Sequence, residues 1–207
     1  MISLVMITQD EESCVERAIN SVDHIVNEII IVDGGSTDRT CEIVTTYPKV
    51  KLYHIAFNPR AGDRYDTQKN NAIALANSDW ILLLDADEYL TSYVANAIPI
   101  LIEESQKAGG IVDVFSFHRH TIIDGRLINP IELDYQPRLF KNYCRYGGHE
   151  IHANLINFNN CCNTNLNIIH NKTNAMQQND NEIYWDKGQT PPEGWVKIDG
   201  KWTWTGA

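Results

Sequence analysis

Residues 80–84 read W-I-L-L-L and run without a break into Asp85-Ala86-Asp87-Glu88. A run this short and continuous suits a central strand buried on both faces. In open α/β sheets, ligands bind beyond the carboxyl ends of the strands, where this run places its carboxylates. Two aspartates flanking one small residue can share a hard divalent cation, which prefers oxygen ligands. Such a cation can in turn neutralise a diphosphate. An isolated Asp-x-Asp is more often an acidic strand-end turn, so the surrounding segments have to decide.

Those segments alternate. Residues 2–7 are an apolar, β-rich run. Residues 11–22 carry apolar side chains at Val15, Ala18, Ile19 and Val22, a helical spacing. Residues 28–32 form a second buried strand that ends at Asp33-Gly34-Gly35. Ser36, Thr37 and Asp38 are cap-type residues for a helix over 39–47. A strand over 50–55 and a helix over 66–76 lead to the 80–84 strand. A further helix over 91–106 contains Pro99, a candidate kink. This β-α-β order predicts an α/β fold: a mixed, mostly parallel central sheet flanked by crossover helices. The G-x-G-x-x-G fingerprint is absent, so a dinucleotide site has no support.

The second half reads differently. Residues 112–123 and 126–133 are two strands around a tight Asp124-Gly125 turn. Residues 138–141 and 166–170 are shorter strands between long, Asn-rich loops. From about Asn171 the pattern breaks down. Trp185, Trp195, Trp202 and Trp204 fall in a stretch with no helical period. The expected division is a domain over 1–175 and a Trp-rich tail over 176–207, its aromatic rings docked on the core, stacked on a sugar, or held against another chain.

A net charge of −10 argues against a broad basic surface and against sequence-independent nucleic-acid binding. No apolar run approaches the roughly 18–20 residues that span a bilayer. The first residues lack the basic region of a signal peptide. The five cysteines form no C-x-x-C pair, which reads as reduced thiols, without a disulfide framework or a zinc site, in a cytoplasmic protein. Oligomeric state is not readable.

Four motifs recur in a recognisable order: I-S-L-V-M-I-T-Q-D-E-E from Ile2, E-I-I-I-V-D-G-G-S-T-D-R-T from Glu28, Gln68-Lys69-Asn70, and the stretch from Asp79 through Asp85-Ala86-Asp87-Glu88. Together they resemble family 2 glycosyltransferases of the GT-A fold, most closely the small bacterial subgroup that adds sugars to lipopolysaccharide cores. The resemblance covers roughly residues 1–170 and implies an inverting, metal-dependent transfer of a sugar from a nucleotide diphosphate, UDP above all, to an acceptor hydroxyl on a saccharide or other molecule.

The resemblance also implies roles. Asp33 would accept a hydrogen bond from the base, a task an acceptor-only carboxylate suits, with Ser36 beside it. Thr8, Gln9 and Glu11 would line the nucleoside site; Glu11 is equally readable as a helix N-terminal acid. Lys69 stands where the family commonly has Arg and would reach a phosphate, or is a solvated helix charge. Asp85 and Ala86 would approach the ribose. Asp87, with Asp85 and His170, would bind Mn²⁺ or Mg²⁺. Arg138-Leu139-Phe140 followed by Gly147-Gly148-His149-Glu150 resembles the subgroup's R-L-F … H-E pattern, making Glu150 the first candidate base and His149 the second. Arg138 itself reads best as a structural ion pair. Sugar-nucleotide pyrophosphorylases share this fold but carry a basic Gly-rich loop where this chain has Thr8-Gln9-Asp10-Glu11-Glu12. The alternative is a non-catalytic carbohydrate- or partner-binding protein on a degenerate transferase scaffold.

Overall fold

The computed structural model describes residues 1–128, 134–148 and 153–205. Strands β1 (Ile2–Thr8), β2 (Glu28–Asp33), β3 (Val50–His54) and β4 (Trp80–Leu83) lie parallel in the order β3-β2-β1-β4. Helices α1 (Val15–Val22), α2 (Thr40–Val44) and α3 (Tyr65–Ala74) connect them. After a short strand β5 (Glu88–Tyr89) comes α4 (Ser92–Lys107), with Pro99 inside it. The chain continues through β6 (Val114–Ile123), β7 (Arg126–Leu127), β8 (Tyr135–Lys141), β9 (Arg145–Gly148), β10 (Ala153–Ile156) and β11 (Cys161–Lys172). β8 inserts antiparallel between β4 and β6, β11 runs parallel to β6, and β5 closes that edge antiparallel to β11. The sheet is mixed and the fold α/β, as expected.

The strand period decides the layers. Leu4 and Met6, Ile29 and Ile31, and Trp80 and Leu82 face one side with α1 and α4. Val5, Ile30, Val32, Ile81 and Leu83 face the other side with Ala72 and Ile73 of α3. Successive side chains point to opposite faces, so a central strand covered by helices on both sides must be apolar throughout. Among the described residues no helix is long and apolar enough to cross a membrane.

Two local differences have physical causes. The helix expected over 39–47 is only Thr40–Val44. Past it, the backbone bonds tighten to Thr46 amide to Ile43 carbonyl and Tyr47 amide to Val44 carbonyl, with the Thr45 and Thr46 hydroxyls donating to the Cys41 and Ile43 carbonyls as well. The expected turn at Asp124-Gly125 is present, both residues having positive φ (46° and 79°), the geometry of a two-residue hairpin loop.

The tail is corrected more substantially. Where no helical period was expected, α5 spans Asn174–Asp186, and Thr173 caps it by accepting from the Met176 amide at 3.2 Å. Met176 and the buried Ile183, two turns apart, supply its apolar stripe. Gln and Asn between them hid the period, yet they support the helix through i,i+4 bonds from Gln177 to Asn181 and from Gln178 to Glu182. A hairpin follows, β12 (Trp195–Ile198) and β13 (Lys201–Trp204), turned at Asp199-Gly200. Trp185, at the end of α5, packs 5.2 Å from both Trp195 and Trp202.

Candidate functional site

The ends of β1 and β2 are tied into one loop cluster. Asp33 is 1% exposed and accepts from the Gly35 amide (3.0 Å), the Ser36 amide (2.9 Å), the Ser36 hydroxyl and Thr8 Oγ1 (3.1 Å). Burial alone would raise its pKa; these donors outweigh burial and hold the carboxyl below its ordinary value. Gly34 sits at a close approach: a Cβ there would lie 3.0 Å from Phe57 Cβ. Asp10 has a positive φ of 58° and its Oδ1 accepts from the Thr37 and Asp38 amides, while its own amide donates to Ser36 Oγ. Ser36 thus bridges Asp33 and Asp10. Gln9 is exposed, and its amide donates to the Phe57 carbonyl at 3.2 Å.

In the acidic stretch after β4, Asp85 and Glu88 share Arg138, and Asp87 is paired separately. Asp85 meets Lys69 Nζ at 3.0 Å and Arg138 at 2.8 Å. Burial raises its pKa, but these two cations prevail and depress it strongly. Lys69 is therefore not a solvated helix charge; it leaves α3 and enters the cleft, 5.4 Å from the Tyr146 ring centroid. Arg138 lies in a structural ion pair, gripping the fully buried Glu88 with Nε and a terminal nitrogen at 2.8 Å each. Ala86 is buried in the core.

Asp87 points elsewhere. Its Oδ2 accepts from His170 Nε2 at 3.1 Å and lies 3.4 Å from Lys172 Nζ. The other ring nitrogen of His170 bonds Thr121 Oγ1 at 3.2 Å. Antiparallel pairing of β11 with β5 sets this up, since His170 is the register partner of Glu88 and the Asn171 amide donates to the Asp87 carbonyl. Burial raises the Asp87 pKa, and His170 and Lys172 override it downward. Nearby Glu11 receives too little compensation. Burial pushes its carboxyl up to about 7, Asp87 and Asp180 add to the rise, and the Cys14 thiol and Lys172 only partly oppose it.

Asp87 and His170 therefore meet, while Asp85 faces Lys69 and Arg138. Among the described residues, the one group of three potential ligand side chains converging within 4.8 Å is Asp33, Cys41 and His54. The hydrogen bonds already on Asp33 mark that group as part of the loop cluster. The cleft itself, about 570 Å³, opens between Thr8, Lys69, Asp85, Asp87, His170 and α5. Its donor set of carboxylates and an imidazole fits a divalent cation.

Sequence reasoning missed three contributors: Lys172, Asp180 and Tyr184. Lys172 is two residues beyond His170 and points the same way by strand alternation, a signal that was available. Asp180 and Tyr184 required the unrecognised α5. His149 and Glu150 lie outside the described residues; Tyr146 and Leu155, on the strands either side, line the cleft.

Residues 3–162 match the model of the family "Glycosyl transferase family 2". An uncharacterised glycosyltransferase of Rickettsia bellii is 32% identical over 142 residues, covering 69% of this chain and 43% of that protein. The lipopolysaccharide core biosynthesis glycosyltransferase LpsC of Rhizobium meliloti is 31% identical over 109 residues, covering 53% of this chain and 40% of that one. The chain thus spans less than half the length of these relatives. TarS from S. aureus, solved in complex with UDP, superposes with a TM-score of 0.61 at 15% identity, over 88% of this chain and 63% of that chain, and so shares the fold. The matched span runs from β1 to the start of β11, taking in the four parallel strands whose ends carry Thr8, Asp33 and the Asp85–Asp87 turn, and the chain belongs to glycosyl transferase family 2.

Proposed function

We propose that this chain is an inverting glycosyltransferase that moves a sugar from a UDP-sugar to a hydroxyl of a saccharide acceptor, of the lipopolysaccharide-core type. The observation that carries the reading is the division of the acidic turn: Asp85 held by Lys69 and Arg138, Asp87 held by His170, both facing one cleft beyond the strand ends. A binding scaffold needs no such arrangement of buried charge, which costs desolvation unless each group is paired.

In this reading Thr8, Gln9, Glu11 and the Asp33–Ser36 loop form the nucleoside end of the cleft. Lys69, fixed by Asp85, presents a positive charge toward the diphosphate. Asp87, His170 and Asp85 would hold Mn²⁺ or Mg²⁺, which when bound would offset the charge that builds on the departing nucleoside diphosphate. Glu150 takes the proton from the acceptor hydroxyl as that oxygen attacks the anomeric carbon, with His149 the second candidate. The location is cytoplasmic, where nucleotide sugars are available.

Calorimetric titration with UDP, with and without Mn²⁺, tests the reading. Metal-dependent binding supports it. Silence with UDP, GDP and CDP alike overturns it.

A further inference from the structure

The cleft contains a second lysine whose setting differs from that of Lys69. Lys172 closes β11, paired in register with Ile123, and its carbonyl accepts from the Asp124 amide at 3.1 Å. Its side chain is 10% exposed, and the ammonium lies between two carboxylates: Asp87 at 3.4 Å and Asp180, to which it is hydrogen-bonded. Lys172 belongs to the sheet and Asp87 to the turn that precedes edge strand β5. Asp180 comes from α5, which rests on the loop around Pro59 and is anchored there by Arg60, 2.7 Å from Asp186. The Asp180 side chain is 29% exposed against 12% for Asp87, so it gives up less environment on leaving.

Resting on the donor reading above, we propose that Lys172 is a diphosphate-binding residue and that Asp180 is its resident stand-in, a carboxylate that a donor phosphate displaces. The chemistry matches. A lysine ammonium is a compact point charge with three donors, suited to a phosphate oxygen rather than to the planar fork-to-fork geometry arginine prefers. Without a ligand, a buried ammonium needs an anionic partner, and Asp180 supplies one from an element outside the sheet. When a phosphate oxygen takes that place, the Lys172–Asp180 bond breaks and the carboxylate turns to solvent; no covalent bond changes. A resident competitor lowers donor affinity, so removing Asp180 and removing Lys172 have effects of opposite sign.

The test titrates the full chain with UDP and, separately, with uridine, at one fixed Mn²⁺ concentration. Lys172→Met weakens UDP binding about tenfold or more, the scale of one charge-assisted hydrogen bond, and leaves uridine unchanged. Asp180→Asn tightens UDP binding, an outcome that misfolding cannot mimic, and also leaves uridine unchanged. If Asp180→Asn weakens UDP binding or leaves it unaltered, the stand-in role is overturned. If Lys172→Met weakens both ligands equally or neither, the phosphate role is overturned. Absence of UDP binding by the unaltered protein overturns the donor reading itself, a result distinct from either.

Discussion

Arg138 and Glu88 form a two-pronged ion pair at 2.8 Å for each prong, with Glu88 fully buried and Arg138 only 3% exposed. The same guanidinium reaches Asp85 at 2.8 Å. One cation from β8 therefore fixes both ends of the acidic turn after β4. Removing it takes the two-pronged partner from the fully buried Glu88, while Asp85 keeps Lys69, so Arg138→Met is expected to destabilise the fold by about 3–5 kcal/mol. Arg138→Lys recovers only part of this, because an ammonium cannot bridge two groups in the plane of a fork. Urea unfolding of the two variants measures the difference.

Asp87→Ala is expected to remove the metal dependence of UDP binding while leaving the sheet intact. Its carboxylate is the one the structure directs at His170. Titration with UDP at several Mn²⁺ concentrations checks it; an unchanged metal response would move the cation elsewhere.

Glu150→Gln is expected to preserve UDP affinity and to lower transfer by about 10²-fold or more, the scale of a lost general base. Single-turnover transfer with a UDP-sugar and a saccharide acceptor reads this out. A fully active variant assigns the base to another residue, His149 first.

Glu28 carries a pH dependence of stability. Burial raises its pKa, but bonds from Lys51 (2.7 Å), Ser3 (2.6 Å) and Asn77 lower it to about 2 from an ordinary 4.5. The folded value is the depressed one, so its contribution is complete above about pH 4.5 and is lost as the pH falls toward 2. The amount is on the order of 3 kcal/mol. Glu28→Gln should be less stable at pH 7 and show a flatter stability profile between pH 5 and pH 3, measured by denaturant titration.

Deleting residues 188–207 removes the hairpin and exposes Trp185, which is 9% exposed in the intact protein. The expected result is a lower melting temperature with UDP binding retained, since the cleft is lined by α5 and the sheet and not by β12 or β13. Loss of UDP binding at full folding would instead make the hairpin part of the donor site.

The strand ends were legible because they depend on local chemistry. Five apolar residues ending in Asp85-Ala86-Asp87, and four more ending in Asp33-Gly34-Gly35, specify buried strands with polar tips whatever surrounds them. The helical period of α1 was equally local. What the sequence could not decide was pairing. Asp85 and Asp87 look equivalent in the chain, yet β8 brings Arg138 to one and β11 brings His170 and Lys172 to the other. The Arg138 and His170 encounters join residues 53 and 83 positions apart, and only the order of strands in the sheet sets them. The same holds for Asp180: a mostly polar helix leaves little periodic trace, and its place on the cleft follows from packing of Met176 against a core formed elsewhere in the chain and from burial of Ile183 beside the cleft. The sequence determined which chemistry each strand end carries; the tertiary structure decided which charge neutralises which.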